Sequence, residues 1–288
     1  MGANNSRGTN IFLGILAIPI MLWTVIPLLW IFALSFKDAD SQSNNLDANI
    51  LGNFFPKSPT MANYEDIFVG SGSAIFVPAL INSLIVVAVS TLISVVLAMF
   101  CAYAISRLDF PGKKLILATA LTVSFFPVIS LVTPLYDLWS RIGLFDTHIG
   151  LILPYLSLTL PLSIWTMTAF FRQIPWEMEQ AAQVDGATTW QAFRKVIVPL
   201  AAPGVFTTAI IAFFIAWNDF VYGISLTSTD AARPVPAALG LFSGASQFED
   251  PTGAIAAAAV IVTIPVVALV LVFQRRIVAG LTSGAVKG

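Results

Sequence analysis

The sequence predicts an all-α integral membrane protein with six transmembrane helices and both termini in the cytoplasm. Three observations predict this class. The 288 residues are 57% hydrophobic and only 10% charged, whereas soluble domains average about 25% charged residues. Uncharged runs recur at the length of about 20 residues that a helix needs to cross a bilayer. Basic residues gather in alternate segments between these runs.

We treat residues 1–288 as a single transmembrane domain and place one span in each apolar run. The spans are expected to be helices because lipid offers no hydrogen-bond partner to an exposed backbone. GSGS at 70–73 is typical of a loop, so the second span begins after it. The predicted spans are 11–36, 78–103, 115–136, 149–171, 204–226 and 252–274.

The distribution of basic residues orients these spans. With a cytoplasmic N-terminus and alternating spans, ten of the 14 lysines and arginines fall in cytoplasmic segments. This is the bias that the positive-inside rule describes. One long cytoplasmic loop then covers 172–203, and the external loops are 37–77, 137–148 and 227–251.

Several chemistries lack the residues they need. The sequence contains no phosphate-binding G-x-x-x-x-G-K-[ST] motif and no H-E-x-x-H zinc motif. Its one cysteine, Cys101, can form no internal disulfide, and its one histidine, His148, lies in an external loop with no assigned role. Scattered basic residues form no nucleic-acid patch. We therefore expect no metal, nucleotide or nucleic acid on this chain and no catalytic activity of its own.

A charged segment, EMEQAAQVDGATTWQAFRKVIVPLAAPG at 177–204, interrupts this apolar chain. Asp185-Gly186 is a turn pair that tolerates positive φ, and Thr188 or Thr189 can cap a following helix. These features predict a helix–turn–helix. An amphipathic connector lying on lipid headgroups is the alternative, but an anionic leaflet would repel the glutamates. A docking element for a cytoplasmic protein is favoured.

The stretch Q-A-A-x-x-D-G-A at 180–187 resembles the EAA loop of ABC-importer permeases. Further collinear motifs are similar to the carbohydrate-uptake branch, and the tail RRIVAGLTSGAVKG particularly resembles that of trehalose importers. The chain is thus identified as a member of the maltose- and trehalose-type second permeases of that branch. The other motifs are Asn82-Ser83-Leu84, Ala102-Tyr103-Ala104 with Arg107, GLFDT at 143–147, WNDF at 217–220 and GAVKG at 284–288.

The resemblance implies import of a disaccharide, expected to be trehalose, across a prokaryotic plasma (inner) membrane by alternating access. It implies a second homologous permease, a dimer of ATP-binding subunits and an extracytoplasmic sugar-binding protein or lipoprotein as partners, with membrane lipid around the spans. ATP and Mg would be bound by the partner ATPase subunits. Another neutral sugar or a polyol is an alternative substrate. An ion-coupled transporter or channel using Asp219 is an alternative of a different class, and it leaves 180–187 unexplained.

The resemblance also implies which residues contact the ATPase subunits. The family usually has a glutamate where this chain has Gln180, so an ion pair at that position does not carry over. Glu179 projects about 100° away on a helix and is a doubtful substitute. We call 172–203 the coupling loop, and its expected contact residues are Glu179, Gln180, Ala181, Ala182, Asp185, Gly186 and Ala187. In the tail, Lys287 is expected to contact the same subunits, unless the end is disordered.

A second group of polar residues lies in or beside the spans. Asn218 and Asp219 occur in the fifth span, where an ionisable group is costly and usually faces the bundle interior or a water-filled path. Tyr222 and Phe214 each lie four residues from Asn218, so one helical face would mix polar and aromatic groups. The expected substrate path or gate comprises Asn82, Asn218, Asp219 and Tyr222. The alternative for Asp219 is a structural contact with a neighbouring helix.

Two further features leave alternatives open. Pro127, Pro134, Pro154 and Pro161 interrupt the third and fourth spans, and each is expected to remove a backbone hydrogen bond and bend its helix. Either neighbouring helices accommodate these kinks, or the kinks shape a cavity that opens during transport. The loop 227–251 either enters the sugar-binding protein, as the resemblance implies, or is a re-entrant packing loop.

Overall fold

The computed structural model describes residues 7–37, 58–242 and 251–285, and every regular element within these ranges is a helix. The predicted all-α class is confirmed for this part of the chain. In chain order the elements are α1 (Arg7–Leu34), α2 (Ala62–Phe68), α3 (Ser73–Arg107), α4 (Lys113–Ser124), α5 (Val128–Ile142), α6 (His148–Gln173), α7 (Trp176–Val184), α8 (Thr189–Ala192), the π-helical turn π1 (Phe193–Ile197), α9 (Val198–Leu200), α10 (Ala202–Trp217), α11 (Val221–Leu226), α12 (Val235–Gly240) and α13 (Thr252–Ala285).

Four of these helices, α1, α3, α6 and α13, are long and apolar enough to cross a membrane. Two more spans result if each of two bent helix pairs counts as one. The segments α4 and α5 meet at 89°, and Thr189–Leu200 meets α10 at 72°. The structure therefore supports four to six spans. The first bend falls inside the third predicted span, 115–136, whereas the second falls just before the fifth, 204–226, which is interrupted separately after Trp217.

The prolines of the third and fourth predicted spans have different effects. Helix α4 ends at Ser124 and α5 begins at Val128, directly after Pro127, because proline disfavours helical backbone before it and lacks an N–H. By contrast, α6 continues through Pro154 and Pro161, so neither proline ends this helix.

A contact between side chain and backbone explains why Pro154 is tolerated in α6. Proline has no N–H, so it cannot donate to the carbonyl four residues earlier, which belongs to Gly150. The indole Nε1 of Trp139 donates to that carbonyl at 2.7 Å. Helix α5 thus supplies the hydrogen bond that Pro154 removes from α6.

The chain divides into two compact units, Met1–Val77 with Leu241–Ile264 and Pro78–Gly240 with Pro265–Gly288. In the first unit, α2 is fastened to the end of α1 by a hydrogen bond of 2.8 Å between the hydroxyls of Ser35 and Tyr64. In the second, α6 packs against α10 and α4. A Cβ at Gly204 would lie 2.4 Å from the Phe170 ring, so only glycine allows this approach of α10 to α6.

Candidate functional site

The coupling loop forms the predicted helix–turn–helix, with α7 as its first arm and α8 and π1 as its second. The predicted cap is confirmed at Thr188, whose hydroxyl accepts from the Gln191 N–H at 3.2 Å. The Gln191 side chain accepts in return from the Thr188 N–H at 2.9 Å. This reciprocal pair is a capping box, and it fixes the start of the second arm.

The elbow between the two arms depends on the backbone of Gly186. Its φ is +87°, in the left-handed region that side chains rarely adopt. A Cβ at this position would meet nothing within 4 Å. Glycine is therefore required by the backbone conformation of the turn and not by crowding, and the space around the elbow is open to an approaching surface.

The expected contact residues of the coupling loop divide by exposure. Ala182 and Ala187 are half-buried, and Glu179 is buried. Val184, at the end of α7, is 87% exposed, and sequence reasoning missed it. Its apolar side chain directly before the Asp185-Gly186 turn was the available signal. The exposed members of the predicted set are Gln180, Ala181, Asp185 and Gly186.

The second arm of the coupling loop is anchored in an apolar core. Phe193 and Ile197 of π1 are buried together with residues from α3 and α6. The Trp190 ring stacks on Phe193, with ring centroids 5.4 Å apart. This arm is therefore attached to the ends of two spanning helices. The remaining buried members of the cluster are Ala98, Ala102, Met167, Phe171 and Ala201.

The first arm is held differently, by a buried ion pair. Arg107 Nε lies 3.5 Å from Glu179 Oε2, and the two side chains are only 5% and 4% exposed. The Tyr103 hydroxyl donates to the other carboxylate oxygen of Glu179. Arg107 also donates to the Ile174 carbonyl at 2.9 Å and lies over the Trp176 ring at 5.0 Å. The carboxylate of Glu179 thus faces the interior of this chain.

The polar residues of the fifth predicted span lie at a helix break. Helix α10 ends at Trp217, and the Asn218 amide donates back to the Phe214 carbonyl at 2.8 Å. Asp219 Oδ2 accepts from the N–H groups of Tyr222 and Gly223, both at 3.1 Å. The expected continuous helical face is wrong, because the Asp219 carboxylate binds the free N–H groups that begin α11.

A cavity of about 220 Å³ opens where the break between α4 and α5 faces α6 and α11. It is smaller than the roughly 300–1,000 Å³ of a typical small-molecule pocket. Of the four predicted path residues, only Tyr222 lines it. The buried Tyr222 hydroxyl has no hydrogen-bond partner of good geometry in the described part of the chain. The lining residues are Val123, Ser124, Phe126, Val128, Leu131, Ser157, Leu158 and Tyr222.

The Asn82 side chain in α3 forms hydrogen bonds to two other parts of the chain. Its amide nitrogen donates to the carbonyls of Asp230 and Arg233 at 2.8 and 3.2 Å, and its oxygen lies 2.8 Å from His148 Nε2. Ser83 Oγ accepts from the Val235 N–H at 2.8 Å. The side chain of Asn82 therefore fastens the loop after α11 to α3, and His148 gains a contact that the sequence did not reveal.

The GLFDT motif forms the turn between α5 and α6. Gly143 ends α5 with a φ of +74°, and Thr147 caps α6 by accepting from the Gly150 N–H at 3.0 Å. Asp146 accepts hydrogen bonds from the backbone and hydroxyl groups of Ser228 and Thr229, the shortest at 2.6 Å. The motif therefore ends one helix, begins the next and anchors the loop after α11.

These contacts also set the charge state of Asp146. Burial alone would raise the pKa of its carboxyl, but the hydrogen bonds from Thr229 and Ser228 outweigh burial and hold the pKa below its ordinary value. The carboxylate is therefore the form that binds the loop. Lys287 and residues 243–250 of the predicted external loop lie outside the described residues.

Comparisons with known proteins agree with this architecture. Residues 94–283 match the family described as binding-protein-dependent transport system inner membrane component. The chain is 54% identical over 266 residues to the trehalose transport system permease protein SugB of Mycobacterium tuberculosis, across 92% of this chain and 93% of that protein. It is 38% identical over 281 residues to the trehalose/maltose transport system permease protein MalG of Thermococcus litoralis, across 97% of each.

A solved structure shares the fold. The chain is similar to one from a bacterial ABC transporter involved in the import of the acidic polysaccharide alginate, with a TM-score of 0.78 and 19% identity over 96% of this chain and 98% of the other. Fold and site together define a type I ABC-importer permease. The chain belongs to the family of binding-protein-dependent transport system inner membrane components, as the sequence motifs predicted.

Proposed function

We propose that this chain is the membrane-spanning permease subunit of an ATP-driven importer for trehalose, working by alternating access. The observation that carries the proposal is the exposed elbow of the coupling loop, attached to the ends of α3 and α6. The names of the two relatives support trehalose as the sugar. Another neutral sugar or a polyol is the alternative substrate.

The proposed assembly places catalysis outside this chain. ATP and Mg are bound by a dimer of partner ATPase subunits, which dock at the elbow, and this chain is a non-catalytic transport subunit. A second homologous permease supplies the other half of the sugar path, which suits a cavity of only about 220 Å³. The family description supports an extracytoplasmic sugar-binding protein or lipoprotein as a further partner.

The proposed orientation follows from the basic residues. Both termini and the coupling loop face the cytoplasm of a prokaryotic cell, and the spans lie in its plasma (inner) membrane. The positive-inside bias supports this orientation. The predicted tail contact of Lys287 with the ATPase subunits belongs to the same proposal.

An ion-coupled mechanism through Asp219 is the rival proposal. It requires a carboxylate that is free to exchange its partners with each transport cycle. Asp219 Oδ2 accepts from two backbone N–H groups at the start of α11, which favours a structural role or a pivot between α10 and α11. The geometry therefore favours the ATP-driven proposal.

The test is to recover the chain from its native membrane in mild detergent and identify what accompanies it. ATP hydrolysis is then measured with trehalose, maltose and glycerol phosphate, with and without the recovered binding protein. Co-recovery of an ATPase and a second permease, with hydrolysis stimulated by trehalose, is expected. Stimulation by maltose and not by trehalose would mean that maltose is the transported sugar. A chain that purifies alone and conducts without ATP would overturn the proposal.

A further inference from the structure

The first arm of the coupling loop has no fully buried apolar side chain. Among the nine residues of α7, Trp176–Val184, the one buried residue is Glu179. Its large apolar side chains are only partly covered, with Trp176 and Met178 both 43% exposed and Val184 87% exposed. The second arm, by contrast, buries Phe193 and Ile197 in a shared core. The two arms are therefore held to the spanning helices by different kinds of contact.

The ion pair of Glu179 joins α7 to one particular residue of a spanning helix. Arg107 is the last residue of α3, and three of its contacts reach the chain around the start of α7: the Glu179 carboxylate, the Ile174 carbonyl and the Trp176 ring. Tyr103, one helical turn earlier in α3, donates to the same carboxylate. The end of α3 and the start of α7 are thereby joined by directional contacts on one side of both helices.

Stability alone does not account for a buried ion pair at this place. Removing two charges from water costs about as much as their attraction returns, and apolar residues of similar volume often serve stability as well or better. Breaking one half of such a pair, however, leaves an unpaired buried charge at a large cost. Because each buried charge needs its partner, this pair favours the arrangement in which α3 and α7 bring Arg107 and Glu179 together.

We propose that Arg107 and Glu179 are positioning residues that transmit movement of the coupling-loop elbow to helix α3. A displacement of the elbow by a docked ATPase moves α7, and α7 transfers it to α3 through this pair, with Tyr103 holding the carboxylate in register. This inference rests on the proposed function, because it requires an ATPase at the elbow. It assigns to Glu179 an inward transmitting role in place of an outward docking role.

The experiment uses the whole transporter complex, purified with its ATPase and second permease. Three variants are compared with wild type: Arg107→Gln, Glu179→Gln and the double variant. The control is Asp109→Asn, whose fully exposed carboxylate pairs with Lys113 at 3.2 Å. Each complex is tested for assembly, for ATP hydrolysis and for trehalose uptake into vesicles, and the readout is the ratio of sugar transported to ATP hydrolysed.

Each single variant is expected to lower assembly, because it leaves one buried charge without its partner. The double variant removes both charges, so assembly is expected to recover. Its transport-to-hydrolysis ratio is nevertheless expected to stay below wild type, because two neutral amides lack the charge attraction that holds α7 in register with α3. The control is expected to keep the wild-type ratio.

A double variant with both normal assembly and a normal ratio would overturn the inference, since the pair would then serve structure alone. A double variant that does not assemble would overturn it as well, because the pair would then be needed for folding. Failure of the proposed function is distinguishable, since in that case the wild-type complex itself shows no trehalose-stimulated hydrolysis.

Discussion

At the scale of single residues, several side chains make contacts that the sequence did not predict. Asn82 and His148 hold a loop of the same chain, and Glu179 faces inward to Arg107. Gly186 has the positive φ predicted for a turn residue, because the Asp185-Gly186 pair itself favours this conformation. Asp146 adopts a φ of 58°, which is uncommon for a residue other than glycine.

Gly186→Ala is expected to destabilise the elbow by about 1–2 kcal/mol through backbone strain and to lower recovery of the ATPase. Gly186→Asn is expected to retain more of both, because Asn adopts the left-handed region more readily. Thermal unfolding and co-purification from membranes measure the two effects. Gly14→Ala, in helix α1 with open space around the glycine, is the control and is expected to have no such cost. Equal losses in the Ala and Asn variants would contradict the backbone explanation.

The lowered pKa of Asp146 predicts that its contribution to the stability of the fold depends on pH. Its pKa is lowered in the folded chain, so its contribution is present above the unfolded pKa of about 3.9 and is lost as pH falls through the folded value. Asp146→Asn is therefore expected to unfold at a lower temperature than wild type at neutral pH. The difference is expected to shrink only below about pH 4.

The measurement for Asp146 is thermal unfolding in detergent across a pH series. The exposed carboxylate of Asp109 provides the control, since Asp109→Asn is expected to change little at any pH. A difference between wild type and Asp146→Asn that grows on acidification would have the wrong sign and would refute the assignment.

At the scale of elements, prolines and glycines decide where helices end. The break between α4 and α5 follows Pro127, while α6 continues through Pro154 because Trp139 supplies a donor to the Gly150 carbonyl. Whether a proline ends a helix therefore depends on what the neighbouring helix offers. The pattern of apolar residues in one sequence does not show which helices become neighbours.

Trp139→Phe is expected to destabilise the chain by about 1–3 kcal/mol, because it leaves the buried Gly150 carbonyl without a donor. Pro154→Ala restores the N–H that serves this carbonyl within α6. The loss caused by Trp139→Phe is therefore expected to be smaller in a Pro154→Ala background. Unfolding temperatures of the two single variants and the double variant form the cycle, and strictly additive losses would contradict the shared acceptor.

The sequence predicted well wherever the cause was local. The helix–turn–helix, its Thr188 cap and its Gly186 elbow depend on residues a few positions apart. The inward orientation of Glu179 depends on Arg107, 72 positions earlier, and apolar periodicity contains no such pairing. The break at Asp219 was missed for another reason: a carboxylate that binds backbone N–H groups overrides an otherwise apolar run.

At the scale of the whole molecule, this chain presents surfaces suited to partners. The coupling loop exposes an elbow with polar and apolar side chains, and the cavity beside Tyr222 measures only about 220 Å³. These features fit one subunit of a larger assembly. The exposed valine next to the elbow gives this interpretation a direct test.

Val184→Glu is expected to leave the unfolding temperature of the chain unchanged and to lower ATPase recovery about tenfold, because it places a charge in an apolar contact. Val69→Glu is the matched control, since Val69 is 84% exposed and Val184 is 87% exposed, and Val69 lies in a predicted external loop. Equal recovery of the ATPase by both variants would exclude Val184 from the contact.

The hydrogen bonds that close the loop after α11 have a consequence for biosynthesis. They join Asp146 and Asn82 to residues that lie 82 to 151 positions later in the chain. At the usual rate of synthesis those partners emerge on the order of ten seconds after the groups that bind them. Until then, Asn82 and Asp146 must satisfy their hydrogen-bonding groups with water or with other residues. These contacts can therefore form only after the fifth predicted span has been synthesised.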